Sequence, residues 1–334
     1  MRPSPWFAAA LLLLADRSAA ATLTVGPGQP FTTVAAAVAA ARNGDTIDVL
    51  AGTYVNDFAS IAKRLSLVAV GGQARMQALG FVPNGKAILI TNSDVAISGF
   101  AFLGARVTEA DGGNGAGIRY LGGTLAVTDC YFADNQEGLL AAADPNGTIT
   151  ITNSEFDHNG ASSGPTAGYT HNIYVGAIAK FDAENSYFHG ANIGHEIKSR
   201  ARVTIVNHSR VVDGPTGTAS YSIDAPNGGV VTITDDQIEQ GPRSENPVII
   251  AFGEEGGVYP GSALTVSGTL IENDLQSVAA LGIWNATAVA AQVTGLSVYG
   301  LAGAQLVSGP ASVNGTTFLT TEPPIPTRHP WDAD

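Results

Sequence analysis

Five of the six histidines in this chain lie between His158 and His208, and the same stretch holds two of its four lysines. Within it, Gly194-His195-Glu196-Ile197-Lys198-Ser199-Arg200 collects an imidazole, a carboxylate, an ammonium and a guanidinium in one short run. Groups of these types can take up a proton, return one and neutralise a developing negative charge. Together they suit proton abstraction beside a carboxylate, provided that the fold brings them to one face.

The rest of the chain bounds what that fold can be. Its 334 residues are 45% hydrophobic and 13% charged, with 40 glycines, so it is long enough to bury a large core. A net charge of −13, from 16 basic and 29 acidic residues, argues against a nucleic-acid partner, which needs clustered Lys and Arg. Met1 to Ala21 reads as a secretory leader, with Arg2, an apolar Trp6–Ala15 core too short to span a bilayer, and small residues at Ser18–Ala21. The expected location is therefore secreted or periplasmic, without a membrane span. With Cys130 as the single cysteine, no internal disulfide can form. The expected divisions are a leader at 1–21, one domain at 22–320 and a proline-rich tail at 321–334 that contains His329, and the expected state is a monomer.

Repetition decides the architecture. A β-rich stretch, then an Asx or Gly, then a Phe or Ile recurs, as in Ile149-Thr150-Ile151-Thr152-Asn153-Ser154-Glu155-Phe156 and Phe181-Asp182-Ala183-Glu184-Asn185-Ser186-Tyr187-Phe188. Aligned on Gly99, Asp129, Asn153, Asn185, Asn207, Asp235 and Gly268, the copies are 30, 24, 32, 22, 28 and 33 residues apart. A repeat of this length built of strands, without a leucine skeleton, predicts an all-β solenoid, a single parallel β-helix. The unequal steps mark loop insertions, which tend to gather on one, binding, face.

The segment from Gln29 to Tyr54 resembles the entry of right-handed parallel β-helix proteins of the pectate-lyase-like superfamily. Its alanine-rich part, with Thr32 or Thr33 as N-cap and Asn43-Gly44 as stop, predicts a short N-terminal helix that covers the open end of the core. The superfamily resemblance implies a right-handed fold over most of the mature chain. It leaves lyases, hydrolases, epimerases and non-enzymes all open.

On such coils the histidine region acquires geometry. The strands His171–Val175, His195–Arg200, Tyr221–Ala225 and Val248–Phe252 stack if Ile173, Ile197, Ile223 and Ile250 point inward. Alternation then turns Asn172, Tyr174, Glu196, Lys198, Arg200, Ser222 and Asp224 outward, in coils about 4.8 Å apart. Tyr174, Lys198 and Asp224 would form one column, and Asn172, Glu196 and Ser222 its neighbour. For β-elimination on a uronic acid, Lys198 is the expected base, Arg200 the carboxylate partner and Tyr174 or His171 the acid, with His195 in support. Asn172, Ser222 and Arg243 would touch an acidic polysaccharide. This use of Lys and Arg is similar to that in alginate-lyase and chondroitin-lyase families of this fold, in which Ca2+ often shares the neutralising task. Glu196 and Asp224, which flank Lys198, are the expected oxygen ligands for such an ion.

Other readings stand beside this one. Asp213, Asp224, Asp235 and Asp236 could supply a glycosidase pair, which needs two carboxylates about 5 to 9 Å apart. The polygalacturonase motif order is not met, since Gly194-His195 and Ile197-Lys198 precede Asp235-Asp236. His158, His189 and His208 sit beside the recurring turn residues, and zinc is not expected because no His-x-His or His-x3-His pair presets two ligands. Gly112–Gly117 reads as a flexible insertion. His171–Val175, Gly194–Ala201, Asp224–Gly229 and Gln240–Asn246 also resemble a group of secreted bacterial β-helix proteins of no assigned activity, which leaves a non-catalytic carbohydrate-binding or structural role open. An enzyme should gather its charges in a cleft walled by insertions, whereas a structural solenoid should pair them with one another on an open face.

Overall fold

The computed structural model describes residues 19–325, so most of the leader, the end of the tail and His329 lie outside the described residues. The chain winds as a parallel β-helix in which every strand pairs in parallel with its counterparts in the coils above and below. Three columns of strands result. The first holds strands such as Thr124–Thr128, Asp144–Thr152, Ile178–Glu184 and Val203–Asn207. The second holds Phe100–Leu103, Tyr131–Ala133, Glu155–Asp157, Tyr187–His189 and Arg210–Val212. The third is a separate ten-stranded sheet that includes Ile173–Val175, Ile197–Ser199, Ile223–Ala225 and Val248–Phe252.

The repeated Asx or Gly is the residue that turns the chain from the first column to the second. Gly99, Asp129, Asn153, Asn185, Asp235 and Gly268 all have φ between +47° and +77°, the left-handed region that Gly and Asx tolerate. One repeat is displaced by a residue from the expected Asn207. The left-handed position there is His208, at φ +49°, and Asn207 pairs in register with Glu184 and Thr234. His158 occupies the equivalent place after the second column, at φ +51°.

Two internal stacks fill the coil corners. Ser154, Ser186 and Ser209 follow the turn residue, and each hydroxyl accepts the backbone N–H of the coil below, at 3.1 to 3.2 Å. Asp236 continues the series, accepting from Ser209 N at 2.6 Å. At another corner, the amides of Asn135, Asn159 and Asn172 link side chain to side chain at 2.8 Å and end on Glu196. Between them Phe102, Phe132, Phe156 and Phe188 stack with ring centroids 4.4 to 5.0 Å apart, all fully buried.

A helix at Val34–Ala40 buries Val34, Ala37 and Val38 beside the first coil, and Thr33 caps it by accepting from Ala36 N at 3.2 Å. The helix stops before the expected Asn43-Gly44. Lys63 Nζ takes the carbonyls of Val38, Ala39 and Ala41 at 2.7 to 3.0 Å, a cation satisfying the open C-terminal acceptors. No helix among the described residues is long and apolar enough to cross a membrane.

First-to-second connections are one or two residues long, and the long insertions, 158–172, 213–222, 241–247 and 253–262, all lie at links into or out of the third sheet. These insertions therefore flank one sheet.

The corner stacks bury acids, and this sets a pH dependence. Burial pushes the Glu196 and Glu137 carboxyls well above their ordinary range, Asp236 up to about 7 and Glu239 up to about 8. An acid with a raised folded-state pKa binds more protons when folded, so its contribution is lost as pH rises from the unfolded value through the folded one. His171 and His195, lowered by burial, oppose this only below about pH 6.5. The four raised acids outweigh the two histidines, so we expect stability to fall steadily above about pH 4.5, with a melting temperature lower by roughly 5–10 °C at pH 8.5 than at pH 6. Glu196→Gln, whose amide suits the asparagine stack, should reduce that loss; thermal unfolding of both proteins at the two pH values is the measurement.

Candidate functional site

The third sheet holds the expected stack. Ile173 pairs with Ile197, Ile197 with Ile223 and Ile223 with Ile250, and Tyr174, Lys198 and Asp224 are successive partners one position on. The four isoleucines are at most 1% exposed, so the alternate residues leave the core on the outer side.

There the charges form one connected set. Lys198 Nζ lies 2.8 Å from Asp224 Oδ2 and 3.0 Å from Glu255 Oε1. Arg200 Nη2 reaches Glu255 Oε2 at 2.6 Å, its Nη1 donates to Asn227 Oδ1 at 2.6 Å, and its Nε donates to the Tyr174 hydroxyl at 2.9 Å. Asn227 Nδ2 in turn holds the Gly256 carbonyl at 2.9 Å, and Tyr259 Oη donates to the Arg200 carbonyl at 3.0 Å. Glu255 thus spans both cations from a turn flanked by Gly253, Gly256 and Gly257, all at positive φ.

Protonation follows from these contacts. Burial alone would depress the Lys198 ammonium, but Asp224 and Glu255 outweigh it and raise its pKa. Lys198 is thus held as a cation between Asp224 and Glu255 in this arrangement. Burial raises Asp224, partly offset by Lys198. Burial and the adjacent Asp224 push Glu254 up to about 8, so these two carboxyls share a proton near neutrality. Arg200 and Lys198 outweigh burial at Glu255 and hold it below its ordinary value.

Several expected site residues face elsewhere. Asn172 and Glu196 are fully buried in the corner stack, where Glu196 Oε1 accepts from Ala191 N at 2.8 Å and its other oxygen meets Asn172. Strand alternation fails for them because each precedes its strand, at the corner where the chain turns inward. Ser222, 3% exposed, points its hydroxyl to the Glu239 carbonyl at 3.4 Å. These three do not present polar atoms to a ligand. His171 and His195 are 3% and 6% exposed, with rings stacked 4.5 Å apart. Nδ1 of each accepts a backbone N–H of the next coil, from His195 at 3.0 Å and from Tyr221 at 3.2 Å. With Nδ1 so occupied, the neutral rings carry their proton on Nε2, and that of His195 faces Asp224 Oδ2 at 3.4 Å. Both rings thus brace the backbone of the next coil, and His195 also faces Asp224. Arg243 is exposed on the 241–247 connection and makes no ion pair among the described residues. Asp213 and Asp236 are internal, and Asp235 lies at a first-to-second-column turn.

Glu254, Glu255 and Asn227 are the residues that sequence reasoning passed over. Their signal was position: Gly253-Glu254-Glu255-Gly256-Gly257 directly follows the strand that pairs with that of Asp224. They also revise the metal ligands. Candidate oxygens of Asp224, Glu254 and Glu255 lie within 4.8 Å of one another, and Asp224 Oδ1 and Glu254 Oε2 are buried without an N–H donor. That all-oxygen set fits a calcium ion, with Glu254 and Glu255 in the place expected of Glu196.

Comparison with protein-family models finds no match, and none is found among curated proteins. Among solved structures, the ORF18 protein of Geobacillus virus E2 is similar with a TM-score of 0.51 and 13% identity over 82% of this chain. This chain spans about half of that protein, 52% of its length. The pectate lyase Pel9A has a TM-score of 0.48 and 14% identity, covering 90% of this chain and 79% of its own. The alginate lyase AlyGC of family PL6 has a TM-score of 0.44 and 16% identity, covering 95% and 42%. At these identities the likeness is one of fold. Fold and site together define a parallel β-helix protein with a linked cluster of Lys, Arg, Tyr and carboxylates on its third sheet.

Proposed function

We propose that the protein is a secreted polysaccharide-active β-helix protein that cleaves a uronic-acid polymer by β-elimination at the Tyr174–Lys198–Arg200 site. The observation that carries this reading is Glu255, whose single carboxylate bridges Lys198 Nζ at 3.0 Å and Arg200 Nη2 at 2.6 Å. Two cations held at that spacing make a seat for a carboxylate. A uronate carboxylate taking the place of Glu255 would have its charge neutralised as the carbanion develops at C5.

Tyr174 is the proton carrier in this arrangement. Its phenol oxygen, 2.9 Å from Arg200 Nε, borders the seat. As phenolate it would take the C5 proton while the C4–O bond breaks and the C4=C5 double bond forms, then return that proton to the leaving oxygen. Asp224 holds the Lys198 ammonium in place, and His195 holds Asp224. When bound, a calcium ion on Asp224, Glu254 and Glu255 would supply further charge neutralisation at the carboxylate.

The test is a panel of uronic-acid polymers, read by the ultraviolet absorbance of an unsaturated uronate product. Absorbance with at least one polymer is expected, and its absence from all of them would overturn the lyase reading. Glu255→Gln empties the seat of its own carboxylate while keeping its shape, so KM should fall by about 3- to 10-fold when measured without added calcium. A second reading, non-catalytic binding of the same polymers, is favoured by the mutual pairing of the site charges. It predicts retention of polymer in a pull-down without product.

A further inference from the structure

The second sheet column carries another cluster, which the proposed reaction does not use. Glu155-Phe156-Asp157-His158 and Tyr187-Phe188-His189-Gly190 occupy consecutive coils, with Phe156 and Phe188 inward and in register. Alternation turns Glu155, Asp157, Tyr187 and His189 outward together, and the left-handed turn residue His158 swings its ring back over them. Asp157 pairs in register with His189. His158 Nδ1 contacts Asp157 Oδ1, and His189 Nδ1 lies 3.4 Å from that same oxygen. The two imidazole planes are nearly perpendicular, at 87°.

The groups behind these three are placed as supports. Glu155, fully buried, faces His189 Nε2 at 2.9 Å. With Nε2 turned to Glu155, Nδ1 is the ring nitrogen that faces Asp157 Oδ1, and the two atoms could share a cation. Tyr131 Oη holds the other Asp157 oxygen at 2.5 Å, and Tyr187 stacks on His189 at 4.0 Å. Gly190 makes room for the His158 ring, since a Cβ there would lie 2.9 Å from Cε1.

We propose that Asp157, His158 and His189 form a binding site for a divalent transition-metal ion of the zinc class, separate from the Lys198 site. Bonds of about 2.0–2.1 Å in a tetrahedron separate ligand atoms by roughly 3.3 Å, close to the 3.4 Å between His189 Nδ1 and Asp157 Oδ1; the His158 ring, now in direct contact with that oxygen, would draw back to a similar distance as the ion enters. Two imidazoles and a carboxylate suit zinc better than calcium. Glu155 behind His189 is the outer carboxylate that fixes a metal-bound imidazole. The His158 side chain, 50% exposed, leaves the fourth position open to water or a ligand. Neither ligand pair was legible as a motif, because His158 and His189 come from different coils.

The test is calorimetric titration of untagged protein with Zn2+ in excess Ca2+, which occupies carboxylate-only sites. One ion per chain at micromolar affinity or tighter is expected. His158→Ala and His189→Ala should each weaken it at least about 10-fold, and Glu155→Gln by about 10-fold, with unchanged circular dichroism. Co2+ should give the visible absorption of a four-coordinate ion, lost in His158→Ala. No saturable binding, or binding that both histidine variants retain, would overturn the site. Because this readout is binding, its failure is distinct from failure of the lyase reading.

Discussion

Tyr174→Phe is expected to lower kcat for uronate-polymer cleavage by about 10²- to 10⁴-fold, the range that a positioned proton-transfer group contributes. The substitution removes one oxygen and keeps a ring that packs beside His171, with centroids 5.8 Å apart. Arg200 would retain Glu255 and Asn227 as partners, so the carboxylate seat should survive and KM should stay within about threefold. Steady-state kinetics on the polymer that gives the strongest absorbance separates the two parameters. A fall of less than about tenfold in kcat would remove Tyr174 from the proton path, and a rise in KM alone would reassign it to binding.

The largest expected stability effect belongs to Lys198. Asp224 is fully buried, and Lys198, 9% exposed, lies 2.8 Å from it. Lys198→Met should cost about 3 kcal/mol or more, because it leaves a buried carboxylate without its counter-ion. Adding Asp224→Asn removes that charge, and stability should return to within about 1 kcal/mol of the parent. Chemical denaturation of the four proteins in the cycle gives the coupling. If the double variant is no more stable than Lys198→Met, the pair is not what holds the site together. Activity should be lost in both, since the seat loses a cation.

Much of the fold was legible because a solenoid repeats its physics. The turn from first to second column needs a left-handed residue in every coil, so Asx and Gly recur there, and the following Phe or Ile must fill the same internal slot. His208 was misread because it stands where Asx or Gly usually does, which drew the alignment to Asn207 beside it. The inward isoleucines and the Tyr174, Lys198 and Asp224 column followed from period-two alternation, which holds within strands.

Alternation does not hold at corners, and there the sequence misled. Asn172 and Glu196 carry polar types that belong outside on a strand, yet a corner can bury them when a ladder of side-chain amides satisfies them. His171 and His195 were placed by the same limit, their Nδ1 atoms bound to the backbone of the next coil.

From its sequence alone, then, this protein was determined to be a coiled stack of parallel strands, with its chemistry-bearing groups concentrated between residues 158 and 224. Only the tertiary structure decided which of those groups meet. Glu255 reaches Lys198 from 57 positions along the chain, and His158 meets His189 across a coil. The physical reason is that one-dimensional spacing sets inward or outward direction within a strand, whereas loop length and corner packing set which coil-to-coil neighbours lie within bonding distance, and with them each group's charge.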